Sequence, residues 1–204
     1  MRATVVLLVR HATTASTRSA LFPLTSGAAP AAGCEPLDRA GRDAAMALGP
    51  HVGTADRFWA SHARRARETA AAWGVQAECE ADLAECDFGR WAGLAPDEVH
   101  RTDAEGLAAW YADPGTARHG GETLEAVRGR ARRLLARAAD LGGATVAVTH
   151  GGLIKAALLE VLGLPHTAVW KLDAAPTSVT ELHVAGSGWR IVRLNWTPSL
   201  ARSW

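Results

Sequence analysis

The pattern of apolar and polar positions changes period several times along the chain, and each change marks an element. Thr4-Val-Val-Leu-Leu-Val9 is a continuous β-branched and apolar run, the pattern of a strand buried on both faces of a parallel sheet. Ala144-Thr-Val-Ala-Val-Thr149 has the same character. The first run ends at Arg10-His11 and the second at His150-Gly151-Gly152, with a helical stretch from Leu153 to Leu162 behind it. Two buried strands thus each deliver a histidine at their C-terminal end, the edge where open α/β sheets bind ligands.

Between these strands, Asp38 to Leu48 reads as a helix with Asp38 as N-cap, and Arg64 to Trp73 as another that Gly74 stops. Arg57 to Ser61 is a weaker strand. From Glu122 to Leu141 the positions Leu124, Val127, Ala131, Leu134, Leu135 and Ala138 recur at helical spacing, with Arg128, Arg132, Arg133 and Arg137 on the solvated face. Ser178 to Val184 and Trp189 to Trp196 flank Ala185-Gly-Ser-Gly188 and read as a hairpin. Strands alternating with helices predict an α/β fold, a three-layer α/β/α sandwich whose central sheet is mostly parallel with an antiparallel element at one edge. One domain over 1–204 is expected, with no repeat. The Ala-, Gly-, Ser-, Thr- and Pro-rich segment 13–36 is too long for a simple connector and suits a lid or pocket wall.

Composition narrows the partners. Apolar residues make up 48% of the 204 and charged residues 21%, the balance of an ordinary globular chain rather than a disordered or membrane one. With 22 Lys and Arg against 21 Asp and Glu, no bulk field draws the protein to nucleic acid or to a membrane. Cys34, Cys79 and Cys86 lack the paired spacing of zinc or redox sites, so a reducing compartment, the cytoplasm, is expected. The run Thr4–Val9 is too short for a signal peptide's apolar region and is followed by Arg10-His11 instead of a small-residue cleavage site.

Phosphoryl transfer needs a nucleophile, cations for the equatorial oxygens and a proton for the departing alkoxide. His11 is the candidate nucleophile, because a neutral imidazole forms a phosphoramidate and is still displaced by water. The neighbouring Arg10 guanidinium disfavours protonation of His11. Three further segments join it: Arg65 in Ser61-His-Ala-Arg-Arg-Ala-Arg-Glu-Thr-Ala70, Glu85 in Leu83-Ala-Glu-Cys-Asp-Phe-Gly-Arg-Trp-Ala-Gly93, and His150 in Val148-Thr-His-Gly-Gly152.

In these segments and their order the chain resembles the histidine phosphatase superfamily, also called phosphoglycerate mutase-like, in its small phosphatase branch. Gly120-Gly-Glu-Thr123 fits a fourth family segment. The resemblance implies that His11 is phosphorylated, that Arg10, Arg65 and His150 hold the phosphoryl oxygens, and that Glu85 is the proton donor. Asp87 is the competing acid. The backbone N–H groups of Gly151 and Gly152 are further candidate donors at the start of a helix. The departures are Ala12 for the usual Gly, His62-Ala63 for a common Pro-Leu pair, and Thr17 where many members place an Asn that contacts phosphate. Arg64 and Arg67 read as a solvated helix turn.

The implied activity is hydrolysis of small-molecule phosphomonoesters through phospho-His11. The alternatives are a phosphoglycerate mutase and a non-catalytic sensor of phosphorylated ligands. His51, His62, His100, His119, His166 and His183 show no metal-ligand spacing, so neither metal nor cofactor is expected; two arginines and a protonated His150 are to supply the positive charge. Trp91 and Trp110 are the tryptophans expected near substrate. Trp110, Asp113-Pro114 and Gly121-Glu-Thr123 look similar to the α-ribazole-phosphatase type, a likeness that broad-specificity members share.

Overall fold

The structure, a computed structural model, describes residues 4–24, 35–186 and 188–198. Six strands form one sheet: β1 Val5–Arg10, β2 Arg57–Ala60, β3 Glu78–Cys79, β4 Ala144–Thr149, β5 Val179–Ala185 and β6 Gly188–Trp196. Their order is β3-β2-β4-β1-β5-β6. β1, β2, β3 and β4 pair in parallel, while β5 and β6 run antiparallel at one edge. This is the mostly parallel sheet with an antiparallel edge that the strand patterns predict.

Period-two alternation on the central strands divides the core between two faces. Val6 and Leu8 of β1 and Ala147 of β4 pack on one side, under α6 (Leu124–Leu141) and α7 (Gly151–Leu162), through Val127, Leu134, Ile154 and Leu158. Val9 of β1 and Val146 and Val148 of β4 face the other side, under α2 (Arg39–Val52) and α3 (Arg64–Ala71), through Leu48, Val52, Ala66 and Ala70. Helices therefore cover both faces, the three-layer sandwich expected. Burying a Val or Leu side chain is worth roughly 1.5–3 kcal/mol, so these two clusters hold the parallel strands in place.

Several boundaries shift from expectation. α2 runs one turn past Leu48, through Pro50, because Val52 at its end is buried. Asp38 is its N-cap, accepting from the Gly41 N–H at 2.6 Å. α3 ends at Ala71, α6 starts at Leu124 with Thr123 as cap, and α7 begins at Gly151. Two helices in 96–112 were not predicted, α4 (Pro96–Thr102) and α5 (Ala104–Ala112). On α6, Arg132, Arg133 and Arg137 are exposed and ion-paired with Glu160, Asp82 and Glu80, whereas Arg128 is largely buried against Glu160 and the Leu164 carbonyl. No described helix is long and apolar enough to cross a membrane. Of segment 13–36, residues 25–34 lie outside the described residues; α1 (Ala15–Arg18) lies in the part before them.

Candidate active site

Strand register sets up the site. Arg10 of β1 pairs with Thr149 of β4, so the next residues, His11 and His150, leave the sheet side by side. Their ring centroids are 5.0 Å apart. β2 lies on the other side of β4 with Ala60 opposite Val148, which brings Ser61 to the same edge and starts α3 within reach of both histidines. Three adjacent parallel strands thus deliver His11, His150 and, through α3, Arg65 to one point.

The hydrogen bonds determine where the protons sit. His11 Nδ1 lies 2.7 Å from the Ala12 carbonyl oxygen; an oxygen there only accepts, so Nδ1 carries the proton and Nε2 presents its lone pair. Arg65 Nε–H donates to that Nε2 at 3.2 Å. His150 is the reverse tautomer: Arg65 Nη2 donates to its Nδ1 at 3.3 Å, and its Nε2–H faces the Ser61 hydroxyl at 2.8 Å. Arg65 also reaches the Leu24 carbonyl at 3.4 Å.

Burial and neighbouring charge make both rings neutral. Burial first, then the Arg65 guanidinium, holds the pKa of His11 down at about 3 against the pull of the Ala12 carbonyl, with Arg10 the smallest influence. Arg10 thus acts in the expected direction, but burial and Arg65 do most of it. His150, fully buried, is pushed well below an ordinary histidine by burial, then by Arg65, His11 and Arg10. In the unliganded site His150 is thus a neutral ring, and the positive charge belongs to Arg10 and Arg65.

Those two guanidiniums are exceptional. Arg65 is buried and Arg10 half-buried, yet neither forms an ion pair among the described residues; Glu85 acts on both only through space. Arg10 donates Nη1–H to the Ala174 carbonyl at 2.5 Å and leaves its buried Nε without a partner. Two buried cations without counter-ions are costly unless an anion is supplied.

Glu85 is buried beside them. Its Oε1 accepts from the backbone N–H of Cys86 at 2.9 Å and of Gly152 at 3.1 Å. A Cβ at Gly152 would land on the end of this carboxylate, so a larger residue there has to push the Glu85 side chain aside. The Gly152 N–H is thereby committed to Glu85. Gly151 instead flanks the Arg10 guanidinium. Ala12 has no left-handed backbone, is fully buried and donates its N–H to Thr69 Oγ1 at 3.1 Å, so an alanine fits where glycine is usual.

Two adjoining cavities share Arg10, Pro23 and Glu85 as walls. The first, about 220 Å3, is polar and holds His11, Arg65, Thr14, Thr17 and Glu35. Thr17 lines this cavity, and its hydroxyl lies 3.0 Å from that of Thr14. From the long segment, Ser16, Ala20, Leu21, Pro23 and Leu24 also line this cavity. The second cavity, about 230 Å3, is lined by Phe88, Trp110, Trp170 and Lys155 among others. Glu85 stands at the boundary. Asp87 lines neither cavity and accepts from the Gly89 N–H at 2.9 Å. Trp91 is also corrected: it is a core side chain bonded to Asp103, and only Trp110 of the two reaches the cleft.

Sequence reasoning missed Ser61, Glu35, Lys155 and the Ala12 and Leu24 carbonyls. Ser61 alone carried a signal, as a polar residue closing a strand at the ligand edge. Of the described cysteines, Cys79 is exposed and Cys86 buried, both free, and burial pushes the Cys86 thiol far up, leaving it inert. Among the described residues no group of three or more His, Cys, Asp or Glu side chains is placed to hold a metal ion.

The chain is 35% identical over 118 residues to glucosyl-3-phosphoglycerate phosphatase of Mycolicibacterium vanbaalenii, covering 52% of each chain. It is 32% identical over 145 residues to the Mycobacterium tuberculosis protein of that name, covering 63% of this chain and 65% of the relative. The matched stretch thus spans about half to two thirds of these relatives. The solved structure of a mycobacterial glucosyl-3-phosphoglycerate phosphatase in complex with VO3 superposes with a TM-score of 0.81 at 26% identity, over 96% of this chain and 100% of that one. The family model for the histidine phosphatase superfamily, branch 1, matches residues 6–197, from the first strand through the last. With His11 and His150 paired at the sheet edge and nearly the whole chain matched, this protein belongs to that superfamily.

Proposed function

We propose that the chain hydrolyses small phosphomonoesters by passing the phosphoryl group to His11 and then to water. The observation that carries this reading is the neutral His11, whose Nε2 lone pair opens on a polar cavity beside the guanidiniums of Arg10 and Arg65, which form no ion pair among the described residues. A phosphate dianion supplies the missing charge. Arg10 with its spare Nε–H, Arg65, Thr17 and the Gly151 side of the Arg10 pocket hold its oxygens, and Arg65 turns its Nε–H from His11 to an equatorial oxygen as the ester binds. His150 acts as a neutral group here, its Nδ1 lone pair and the Ser61 bond orienting Arg65.

Nε2 then attacks phosphorus as the bond to the leaving oxygen breaks. Glu85, at the boundary between the two cavities, gives that oxygen its proton. The phosphorylated ring keeps its Nδ1–H on the Ala12 carbonyl, which stabilises the imidazolium so formed. Water next attacks phosphorus, Glu85 takes the water's proton, and the electrons of the P–N bond return to Nε2. Each preorganised donor is worth roughly 10²–10³ in rate. The relatives' names support the ester class, and the unpaired Cys79 and Cys86 support a reducing, cytoplasmic setting.

In this cycle the cations are all side chains. Turnover of p-nitrophenyl phosphate is therefore expected to be unchanged by EDTA and inhibited by vanadate, which mimics five-coordinate phosphorus. Loss of turnover in EDTA that Mg²⁺ or Zn²⁺ restores would count against it.

A further inference from the structure

One wall of the polar cavity is not held by packing. α1 is a single helical turn that contributes Ser16 and Thr17 to this cavity, and none of its residues is buried. A lone turn fixes several backbone angles for few hydrogen bonds, so it needs support from outside itself. Two carboxylates supply it. Asp38 accepts from Arg18 Nε–H at 2.6 Å and from the Thr13 hydroxyl at 3.0 Å. The Arg18 side chain is more than half exposed, and ion pairs in that setting contribute little. Glu35 is half-buried, and its Oε1 accepts from both the N–H and the hydroxyl of Ser16, each at 2.8 Å. The firmer of the two clasps is therefore Glu35.

Thr17 is the side chain that this clasp aims. Its β-branched side chain is short and stiff, so the backbone of α1 fixes where the hydroxyl lies. Thr14 Oγ accepts from the Thr17 N–H at 3.3 Å and lies 3.0 Å from the Thr17 hydroxyl. With the Thr14 O–H donating to Thr17 Oγ, the Thr17 hydrogen is left for a phosphoryl oxygen. Ser16 precedes Thr17 directly, so losing the Glu35 bonds frees the turn at the point that sets the Thr17 hydroxyl.

We propose that Glu35 is a positioning residue: through Ser16 it holds α1 so that the Thr17 hydroxyl meets the phosphoryl group. Its acceptor oxygen does this, not its charge. Glu35 also attracts Arg65 through space, and a variant that loses the charge but keeps the oxygen separates the two effects. The proposal rests on the phosphatase reading and deepens it.

The test is a double-mutant cycle on p-nitrophenyl phosphate hydrolysis, with vanadate inhibition and the thermal melt measured for each variant. A hydrogen bond to a charged group predicts that Thr17→Val and Glu35→Ala each lower kcat/KM by roughly 10- to 100-fold and weaken vanadate by a similar factor. The double variant should lose no more than the worse single one, because both remove the same contact. Glu35→Gln keeps the acceptor oxygen and should stay close to the native protein. Ser16→Ala removes the hydroxyl arm alone and should couple to Thr17→Val in the same way, which tests the clasp even where Glu35→Ala does not fold. Native-like turnover in Thr17→Val or Glu35→Ala, losses that multiply with Thr17→Val, or a Glu35→Gln variant as impaired as Glu35→Ala overturns the proposal and leaves the phosphatase reading intact. No turnover by the native protein overturns both together.

Discussion

In the proposed cycle the reactivity of His11 rests on two contacts, the Ala12 carbonyl that holds its Nδ1–H and the Arg65 Nε–H that faces its lone pair. Glu85 complements it from the other side of the phosphoryl cavity. Its amide donors are backbone groups, so Glu85→Gln retains the acceptor oxygen that binds them while losing the transferable proton. For this variant we expect alkyl phosphates to slow by roughly 10²–10⁴ in the phosphorylating step, because an alkoxide needs that proton as it leaves. p-Nitrophenolate leaves unaided, so a stopped-flow trace should show a burst of about one nitrophenolate per site followed by slow turnover. Equal slowing of both ester classes in single-turnover experiments, with no burst, removes Glu85 from the role.

At the scale of elements, the site is the meeting of the C-terminal ends of β1, β4 and β2 with the starts of α3 and α7. Gly152 shows how tightly these fit, since its missing Cβ is the space that the Glu85 carboxylate occupies. Gly152→Ala is therefore expected to lower kcat/KM by roughly 10²-fold by displacing the acid. Its thermal melt should change little, because alanine is the better helix former by about 1 kcal/mol and offsets part of the strain. A fully active variant contradicts this fit. The histidine pair was legible in the sequence because two uninterrupted apolar runs each ended in His, and parallel strands of that kind are buried and aligned. α5 was not, since Ala-Glu-Gly-Leu-Ala-Ala-Trp-Tyr-Ala is apolar nearly all round and lacks a helical stripe. Lys155 and Glu35 were equally silent: a lone charge has no periodicity, and only the folded chain brings Lys155 to one cavity with Trp110 and Trp170 or Glu35 within 2.8 Å of the Ser16 hydroxyl. The neutral state of His150 needed its complete burial, which no local pattern encodes.

For the whole molecule, burying two neutral histidines links the site to global stability. His11 falls from an ordinary 6.5 to about 3 on folding, and His150 moves the same way. Between those pH values the unfolded chain binds protons that the native one does not, so stability is full above pH 6.5 and declines as pH falls toward 3. The His11 share of the slope is at most about 1.4 kcal/mol per pH unit. Urea midpoints measured from pH 7 to pH 4 should drop accordingly, and less steeply in His11→Asn; a flat profile contradicts the buried, neutral assignment. The complete cycle, however, requires sheet edge, helices and cavity wall to act together, and its central claim is the covalent intermediate. Brief mixing of the intact protein with ³²P-labelled phosphate ester, followed by quench and peptide mapping, should place acid-labile, base-stable label on His11. His11→Ala should lose both label and turnover; label on another residue, or near-normal turnover in His11→Ala, contradicts the account.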